Sequence, residues 1–524
     1  MTHWMDRLGL PGLDTLDLDG LPVARMRNGG CLALDEVPRL SPADFHAACV
    51  EARARGARLS AMFVLPGDER ERTVAAVLAH DATSQLGVVA MVLGGARSYP
   101  SLTAEIPQAH PFERELFERY GLRPEGHPWL KPLRRNLALE DAPPARAPRR
   151  EAFADFHRTA GDGVHEVAVG PVHAGVIEPG HFRFQCRGER VMHLEIRLGY
   201  QHRGAEALLR DAAPVRRLAV AESIAGDTAI GHSLAHCALR EALAGVEPPL
   251  EAQRLRGVGL ELERIANHVG DLGALCGDIG FLPGSAWFGR MRGDFLNMLM
   301  LISGNRFGRG LVKPGGVRFA VPETLAGFIL PLLNRLEDEL SEVSEIVFDS
   351  PSVLGRFEDA GVLDRVAAED LGIVGPAARA SGCDRDVRRD HPAGIHRFAL
   401  VPVAMVEAGD VMSRALVRWL EVQRSLQFVR EQLRMRHSQG ASALACDVPP
   451  PPPSSVAVAM VEGWRGEIVH ASVTDADGRV AGYSVVDPSV HNWFGLAFAM
   501  RDNPISDFPL CNKSFNLSYA GHDL

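Results

Sequence analysis

Two short stretches of the chain concentrate side chains that could carry protons or bind a metal. The first is Ala221–His236, AESIAGDTAIGHSLAH, and the second is Val486–Trp493, VDPSVHNW. Carboxylates and imidazoles in buried sites often have perturbed pKa values, which makes them candidate proton carriers. Two carboxylates and two imidazoles could also suit zinc or a non-haem metal, although no spacing here enforces a coordination geometry. The four candidate residues are Asp227, His232, Asp487 and His491.

The cysteines offer no metal cage by their spacing. They stand at positions 31, 49, 186, 237, 276, 383, 446 and 511, and no two of them form a C-x-x-C pair. Local spacing therefore predicts neither a zinc ribbon nor an iron–sulfur cage. Reduced, mostly buried thiols are the expected state, which fits a reducing compartment.

The first stretch must be positioned by a loop that runs into a helix. Gly226 and Asp227 interrupt the apolar pattern, and Thr228 is a candidate N-cap for the helix that follows. The second stretch must be positioned by a small C-terminal sheet, and the apolar run after it predicts a last helix over Trp493–Met500. The strands predicted before it are Val456–Met460, Glu467–Val473 and Arg479–Ser484.

Residues 1–140 predict a small α/β domain. Short apolar runs ended by Pro-Gly and Gly-Gly predict strands over Leu59–Leu65 and Gln85–Leu93. The segment Glu69–His80 between them predicts a helix. Residues 141–159, which begin with a segment rich in Ala, Pro and Arg, predict a linker.

Residues 160–524 predict a second domain that is largely helical. Alternation in His165–Val169, Phe182–Cys186 and Val191–Ile196 predicts a β-hairpin meander at its start. An i, i+3, i+4 apolar pattern predicts a long helix over Leu250–Gly280. With the small C-terminal sheet, the expected fold class is α+β.

The composition favours a soluble globular protein. The 524 residues carry a formal net charge of −10, which argues against a nucleic-acid partner. No apolar run approaches the roughly 18 residues of a membrane span, and the first residues lack the charged and then apolar segments of a secretion signal. We expect a cytoplasmic chain that reaches a membrane only through partner subunits.

Several motifs, in order along the chain, resemble those of one protein family. Besides the two stretches above they are HPFERELFERYGLRPEGHP at 110–128, EPGHFR at 178–183, GYQHRGAE at 199–206 and RASG at 379–382. They resemble the large subunit of energy-converting nickel–iron hydrogenases of the formate-hydrogenlyase and hydrogenase-4 type, and the homologous quinone-site subunit of complex I, its 49 kDa subunit. The first 140 residues resemble the complex I 30 kDa-type module, so the chain resembles a fusion of the two.

On this resemblance, four positions that hold metal-binding cysteines in the family are degenerate here. The first stretch matches the first metal loop, with His232 at the position of the family's histidine, and DPSVHN matches the second loop. Soft thiolates hold nickel and low-spin iron, and the side chains found instead do not replace them. We expect no nickel–iron centre and no cofactor bound by this chain, with the four positions close together in space. They are Ala225, Thr228, Ser489 and Asn492.

The resemblance also implies roles for residues of the first hairpin region. There the family carries a histidine toward the quinone headgroup, which would be His173 here. The His-Arg-Gly turn lies by the terminal cluster of a neighbouring iron–sulfur subunit, which would involve His202 and Arg203. The family's quinone-binding tyrosine lies in the first metal loop, and Ala221–His236 contains no tyrosine. Satisfied structural histidines are the alternative for His173 and His202.

Three functions remain open. The first is a redox subunit that passes electrons from a partner's iron–sulfur cluster to a quinone or another acceptor. The second is a non-catalytic coupling subunit of a membrane ion-translocating complex, and the third is a reassigned metal site. The resemblance implies an iron–sulfur small subunit and membrane-embedded antiporter-like and anchor subunits as partners. It further implies a peripheral position on the inner face of the cell membrane and an NADH dehydrogenase setting with NAD binding.

Overall fold

The structure, a computed structural model, describes residues 17–67, 72–134, 156–173, 177–435 and 443–524. Helices and small sheets make up these residues, and the predicted α+β class is confirmed. Most of the predicted linker, 141–159, lies outside the described residues. Within those ranges no helix is both long and apolar enough to cross a membrane.

The elements are numbered in chain order. The strands are β1 (Ala24–Met26), β2 (Gly30–Ala33), β3 (Arg39–Leu40), β4 (Arg58–Leu65), β5 (Thr73–His80), β6 (Gln85–Val92), β7 (Ser98–Pro100), β8 (Arg123–Glu125), β9 (Val164–Val169), β10 (His181–Arg187), β11 (Arg190–Arg197), β12 (Val312–Lys313), β13 (Gly316–Val317), β14 (Ser455–Gly463), β15 (Gly466–Thr474) and β16 (Val480–Val486). The helices are α1 (Pro42–Ala54), α2 (His110–Tyr120), α3 (Ala205–Asp211), α4 (Pro214–Ala221), α5 (Ala229–Ala244), α6 (Leu250–Asp278), α7 (Leu282–Ser303), α8 (Glu323–Phe348), α9 (Pro351–Phe357), α10 (Arg365–Asp370), α11 (Gly375–Ala380), α12 (Val387–Asp390), α13 (Val411–Arg434), α14 (Pro488–Ala499), α15 (Phe508–Phe515) and α16 (Tyr519–Asp523).

The N-terminal sheet has the strand order β1-β6-β5-β4, and β3 pairs in parallel with β6. The strands predicted over Leu59–Leu65 and Gln85–Leu93 are confirmed as β4 and β6. The helix predicted over Glu69–His80 is wrong, because Thr73–His80 is β5 and pairs antiparallel with both neighbours. Every residue of β5 is buried. A strand covered on both faces has a continuous apolar run, which periodicity alone does not separate from a buried helix.

The C-terminal sheet has the order β16-β15-β14-β2, so its fourth strand comes from the N-terminal part of the chain. β2 pairs antiparallel with β14, from Gly30 opposite Val458 to Ala33 opposite Ser455. The three predicted C-terminal strands are confirmed as β14, β15 and β16. Side chains of both sheets belong to one buried hydrophobic cluster, so the two sheets share a core.

The long helix α6 runs through the centre of the helical part, and most of its residues are buried. It packs against α7 and α13, which contribute to the same hydrophobic cluster. Close packing against this helix favours a glycine at position 257, because a Cβ there would lie 2.6 Å from Ile395 Cγ2. The long helix predicted over Leu250–Gly280 is confirmed.

A buried ion-pair cluster joins α6 to α11, α13, β14 and the start of α12. Arg379 Nη2 lies 2.7 Å from Glu421 Oε1, and Arg379 Nη1 lies 2.9 Å from Glu462 Oε1. Every charge in the cluster has an opposite charge in contact, which makes its burial tolerable and fixes the packing of these elements. Its members, all buried, are Glu261, Arg264, His268, Arg379, Asp386, Arg388, Glu421 and Glu462.

The predicted hairpins near the start of the second domain are confirmed as the antiparallel meander β11-β10-β9, whose β11 packs against α14. The last predicted helix starts earlier than expected, at Pro488 rather than Trp493. Asp487 caps it and a proline stands in its first turn, which is a strong helix start. α15 and α16 follow, and residues 517–524 are buried.

Candidate functional site

The two chemistry-bearing stretches meet through a hydrogen bond between a buried acid and a buried imidazole. His232 on α5 places Nε2 3.0 Å from Asp487 Oδ2, and both side chains are fully buried. The other oxygen, Asp487 Oδ1, accepts the Ser489 amide at 2.8 Å. Burial raises the pKa of Asp487, but the hydrogen bond from His232 and the charge of Arg465 bring it below its ordinary value. The pair is therefore an aspartate that faces an imidazole N–H.

Asp227 is held by an arginine and not by His232. Arg465 Nη1 and Nη2 lie 2.6 and 2.8 Å from its two carboxylate oxygens. Burial opposes ionisation of Asp227, yet the Arg465 charge lowers its pKa below the ordinary value. Arg465 also donates from Nε to the Asn516 carbonyl at 2.6 Å, and its guanidinium lies 3.9 Å from the centroid of the Trp464 ring. Asp227 is one-third exposed, so this bidentate pair marks where the site reaches the surface.

The start of α5 is capped by a glutamate of α6 and not by Thr228. Glu263 accepts the Ile230 and Gly231 amides at 2.7 and 3.0 Å. The Thr228 hydroxyl instead donates to Asp227 and accepts from the Trp464 indole at 3.1 Å. Burial, together with the charge of Asp227, raises the pKa of Glu263 to about 8. The cap is thus a buried acid that is protonated over most of the physiological pH range.

The four degenerate positions do not form a ligand set for nickel and iron. Ser489 Oγ accepts the Ser518 amide at 2.9 Å, and the Asn492 side chain both accepts from and donates to the backbone of Val374 at 3.0 Å. The threonine hydroxyl is engaged as described, and the alanine has no donor atom in its side chain. An amide, two hydroxyls and a methyl group include no soft ligand, so the residues present do not fit the centre. The mutual closeness of all four positions stays a prediction.

The cysteines do not replace the missing thiolates. Burial raises the pKa of Cys511 to about 11 and that of Cys237 further, so both are thiols at neutral pH. In the described part of the chain, no group of three or more His, Cys, Asp or Glu side chains could hold a metal ion. His491 packs with its ring 5.6 Å from that of Phe112, and burial lowers its pKa to about 4. The reassigned metal site therefore gains no geometric support.

The residues assigned to the quinone and to the partner's cluster bond to main-chain carbonyls. His173, half-buried, bonds through Nε2 to the Gly180 carbonyl at 3.1 Å. His202 Nδ1 lies 2.8 Å from the Asp523 carbonyl oxygen. Arg203 donates to the carbonyls of Ser223 and Ile224 at 2.6 and 2.7 Å, so the His-Arg-Gly turn is fastened to the first stretch.

Sequence reasoning missed three residues that extend the Asp487–His232 pair. His232 Nδ1 lies 3.1 Å from His470 Nε2, and His470 Nδ1 lies 2.9 Å from the Tyr483 hydroxyl. The same hydroxyl lies 2.9 Å from His236 Nδ1. A tyrosine is thus brought to this helix from β16, although the first stretch contains none. The i, i+4 spacing of His232 and His236 was the available signal. We call the set the imidazole row: Asp487, His232, His470, Tyr483 and His236.

A groove lies elsewhere in the described residues. It has a volume of about 780 Å³ and lies between α5, α6 and the segment after α12. Its walls include Glu241, Arg256 and His391. None of the candidates His173, Asp227, His232, Asp487 and His491 lines it.

Two protein families match different parts of the chain. The family of the respiratory-chain NADH dehydrogenase 49 kDa subunit matches residues 278–452, and that of the 30 kDa subunit matches residues 39–154. Formate hydrogenlyase subunit 5 of Escherichia coli K12 is 30% identical over 440 residues, which cover 81% of this chain and 77% of that protein. Hydrogenase-4 component G of the same organism is 29% identical over 452 residues, covering 83% of this chain and 78% of the relative.

A solved structure shares the fold. A chain of the membrane-bound sulfane sulfur reductase, an archaeal respiratory membrane complex, superposes with a TM-score of 0.65. The match covers 70% of this chain and 100% of that chain at 23% sequence identity. At that identity the likeness establishes the architecture and not the chemistry.

Proposed function

Because the chain belongs to the family of large subunits that includes formate hydrogenlyase subunit 5 and the 49 kDa subunit of respiratory NADH dehydrogenase, we propose that it serves a membrane-associated, redox-driven ion-translocating complex without a nickel–iron centre. The absence of a nickel–iron centre is supported by the side chains at the four degenerate positions. Two of these side chains are hydrogen-bonded to the protein's own backbone, and none is a thiolate. Chemistry at this position must then use carboxylates, imidazoles and a guanidinium.

In this proposal the subunit passes electrons from a partner's iron–sulfur cluster to a quinone or another organic acceptor. Two-electron reduction of a quinone to a quinol takes up two protons, so a reduction site needs nearby proton carriers. Asp487 and His232 could hold protons there, and the partly exposed Asp227–Arg465 pair would face the acceptor. Arg203, fastened to the first stretch, would lie at the contact with the iron–sulfur small subunit. Membrane-embedded antiporter-like and anchor subunits would hold the chain at the inner face of the membrane.

Metal analysis tests whether the chain lacks a nickel–iron centre. The complex is purified from cells grown with added nickel, and its nickel is measured by plasma mass spectrometry. We expect no nickel above the level of a blank purification, because no soft ligands are present. A nickel-containing hydrogenase purified in the same way is the control. One nickel per chain, or infrared bands of cyanide- or carbonyl-bound iron, would contradict the proposal.

Substitution of His173 tests the acceptor. His173→Ala should abolish reduction of a quinone analogue by the assembled complex, while the subunits still co-purify. His165→Ala is the matched control, because His165 is an exposed histidine of the neighbouring strand β9. Turnover that survives His173→Ala would remove this residue from the acceptor site.

A non-catalytic coupling subunit is the second candidate. It is favoured by one observation, that none of the five candidate residues lines the groove of about 780 Å³. In that case the wild-type complex reduces no acceptor through this chain, yet deletion of the chain stops ion transport or prevents assembly. Measuring both in membrane vesicles separates the two candidates.

A further inference from the structure

The imidazole row is a continuous set of hydrogen bonds in which each side chain can both give and take a proton. Its four contacts measure 3.0, 3.1, 2.9 and 2.9 Å from Asp487 to His236. A neutral imidazole has one donor and one acceptor nitrogen, and a phenol has both functions on one oxygen. Guanidinium groups, which do not give up a proton, are absent from the row.

Only one arrangement of protons satisfies these contacts when Asp487 is ionised and the imidazoles are neutral. His232 donates from Nε2 to Asp487 and must accept at Nδ1. His470 then donates from Nε2 to His232, Tyr483 donates its hydroxyl proton to His470, and His236 donates from Nδ1 to the Tyr483 oxygen. Every shared proton points toward Asp487, and His236 Nε2 is left as an acceptor.

The surroundings favour these neutral forms. Burial, with the neighbouring histidines, holds the pKa of His470 well below its ordinary value. Burial, with the charges of Arg240 and Arg217, lowers the pKa of His236 to about 3. Burial raises the pKa of Tyr483 well above its ordinary value, so the hydroxyl keeps its proton. A proton that enters the row is therefore passed on and not held at these three residues.

Exposure differs along the row. Tyr483 is half-buried, whereas the other four members, Asp487, His232, His470 and His236, are buried. The inner end lies in the field of Arg465, which also holds the partly exposed Asp227. The row therefore runs from the periphery of β16 to the degenerate metal positions.

We propose that the imidazole row is a proton relay between solvent near Tyr483 and His236 and the buried Asp487. This rests on the proposed function in one respect, that reduction of an acceptor near Asp487 consumes the protons. A proton binds His236 Nε2, and the Nδ1 proton of His236 moves to the Tyr483 oxygen as the hydroxyl proton moves to His470 Nδ1. The Nε2 proton of His470 moves to His232 Nδ1, and that of His232 moves to Asp487. One proton enters and one arrives, and no electrons are transferred.

The first experiment measures the relay without any redox step. In the full-length chain labelled with ¹⁵N at histidine, nuclear magnetic resonance follows the exchange of the His232 Nε2 proton with water. Tyr483→Phe removes only the hydroxyl and should slow this exchange by about tenfold or more, because the row is interrupted. Tyr99→Phe, which removes a buried hydroxyl in the N-terminal part, is the matched control and should leave the exchange unchanged. Equal exchange in Tyr483→Phe and wild type would overturn the relay.

The second experiment uses the assembled complex. Acceptor reduction is measured in H₂O and in D₂O for wild type, Tyr483→Phe and His236→Gln. Both variants should lower kcat by about tenfold or more, as expected when a positioned proton donor is lost, with KM for the acceptor unchanged and an altered isotope ratio. Unchanged kcat and isotope ratio would overturn the relay. If the complex reduces no acceptor at all, the proposed electron transfer is wrong. The proton-exchange experiment alone then tests the relay.

Discussion

The ion-pair cluster and the imidazole row are both buried polar regions, yet they hold charge in different ways. In the cluster, each carboxylate faces at least one guanidinium, as Arg379 faces Glu421 and Glu462. Burial alone would raise the pKa of Glu421, but Arg379 and His268 hold it well below its ordinary value. In the row, Asp487 is ionised, and beyond His232 burial favours the neutral forms of His470, Tyr483 and His236 by shifting their pKa values.

The difference separates a structural region from one that can change state. Arginine keeps its proton at any physiological pH, so the guanidinium charges of the cluster are fixed. Imidazole and phenol groups exchange donor and acceptor roles at little cost, so the row can reverse its hydrogen bonds when a proton reaches Asp487. Removing a charged side chain from the cluster should therefore lower the stability of the fold. Removing a hydroxyl from the row should instead slow proton transfer.

The largest effect is expected from breaking the cluster. Arg379→Met leaves Glu421 and Glu462 without their main partner in a buried site, and should lower the free energy of unfolding by about 3–5 kcal/mol. Thermal unfolding followed by circular dichroism measures the change. Arg397→Met, at an exposed arginine paired with exposed Glu247, is the control and should cost less than about 1 kcal/mol. Equal losses in the two variants would show that the cluster does not stabilise the fold.

An intermediate effect is expected from Glu263, the buried cap next to the row. Its pKa of about 8 in the folded chain lies above the value near 4.3 of an unfolded glutamate. Between these values the folded state keeps a proton that the unfolded state has released, so stability falls as pH rises through this window, by at most about 1.4 kcal/mol per pH unit. Glu263→Gln cannot titrate and should flatten the decline between pH 5 and 8 in urea unfolding. Glu345→Gln, at an exposed glutamate of α8, should keep it. Parallel curves for wild type and Glu263→Gln would exclude this acid as the cause.

The smallest stability effect is expected from the row itself. Tyr483→Phe removes one hydroxyl that contacts two imidazoles, and should lower the free energy of unfolding by only about 0.5–1.5 kcal/mol. The same thermal unfolding assay measures it beside Arg379→Met. A loss as large as that of Arg379→Met would mean that the row is a structural network like the cluster.

The sequence predicted the parts of the fold whose pattern is local. The hairpins and the long central helix follow from side-chain periodicity, and the strands of the C-terminal sheet follow from apolar runs bounded by turns. The strand β5 was not predicted, because its alanine-rich apolar run is buried throughout and fits a buried helix equally well. The early start of α14 was also missed, although Asp487 followed by Pro488 is a local start signal.

At the site, the sequence located the two stretches but not what joins them. The resemblance placed His232 and Asp487 in facing loops, and the structure brings them into contact at 3.0 Å. His470 is separated from His232 by 238 residues and stands in β15, a strand in which every residue is buried. Tyr483 and Arg465 likewise come from β16 and the turn between β14 and β15. Such contacts depend on how the C-terminal sheet packs on α5, which no local pattern encodes.

The pairing of β2 with β14 bears on any attempt to produce the two parts of this chain as separate polypeptides. A fragment that lacks the N-terminal part would leave the main-chain N–H and C=O groups of β14 unpaired along an open edge, which invites self-association. Co-expressed fragments would instead complement each other by strand addition, since the missing strand is short and its register is set by four residue pairs. Because both parts belong to one chain, β2 is held close to β14. Two separate subunits would have to meet by diffusion before the same pairing could form.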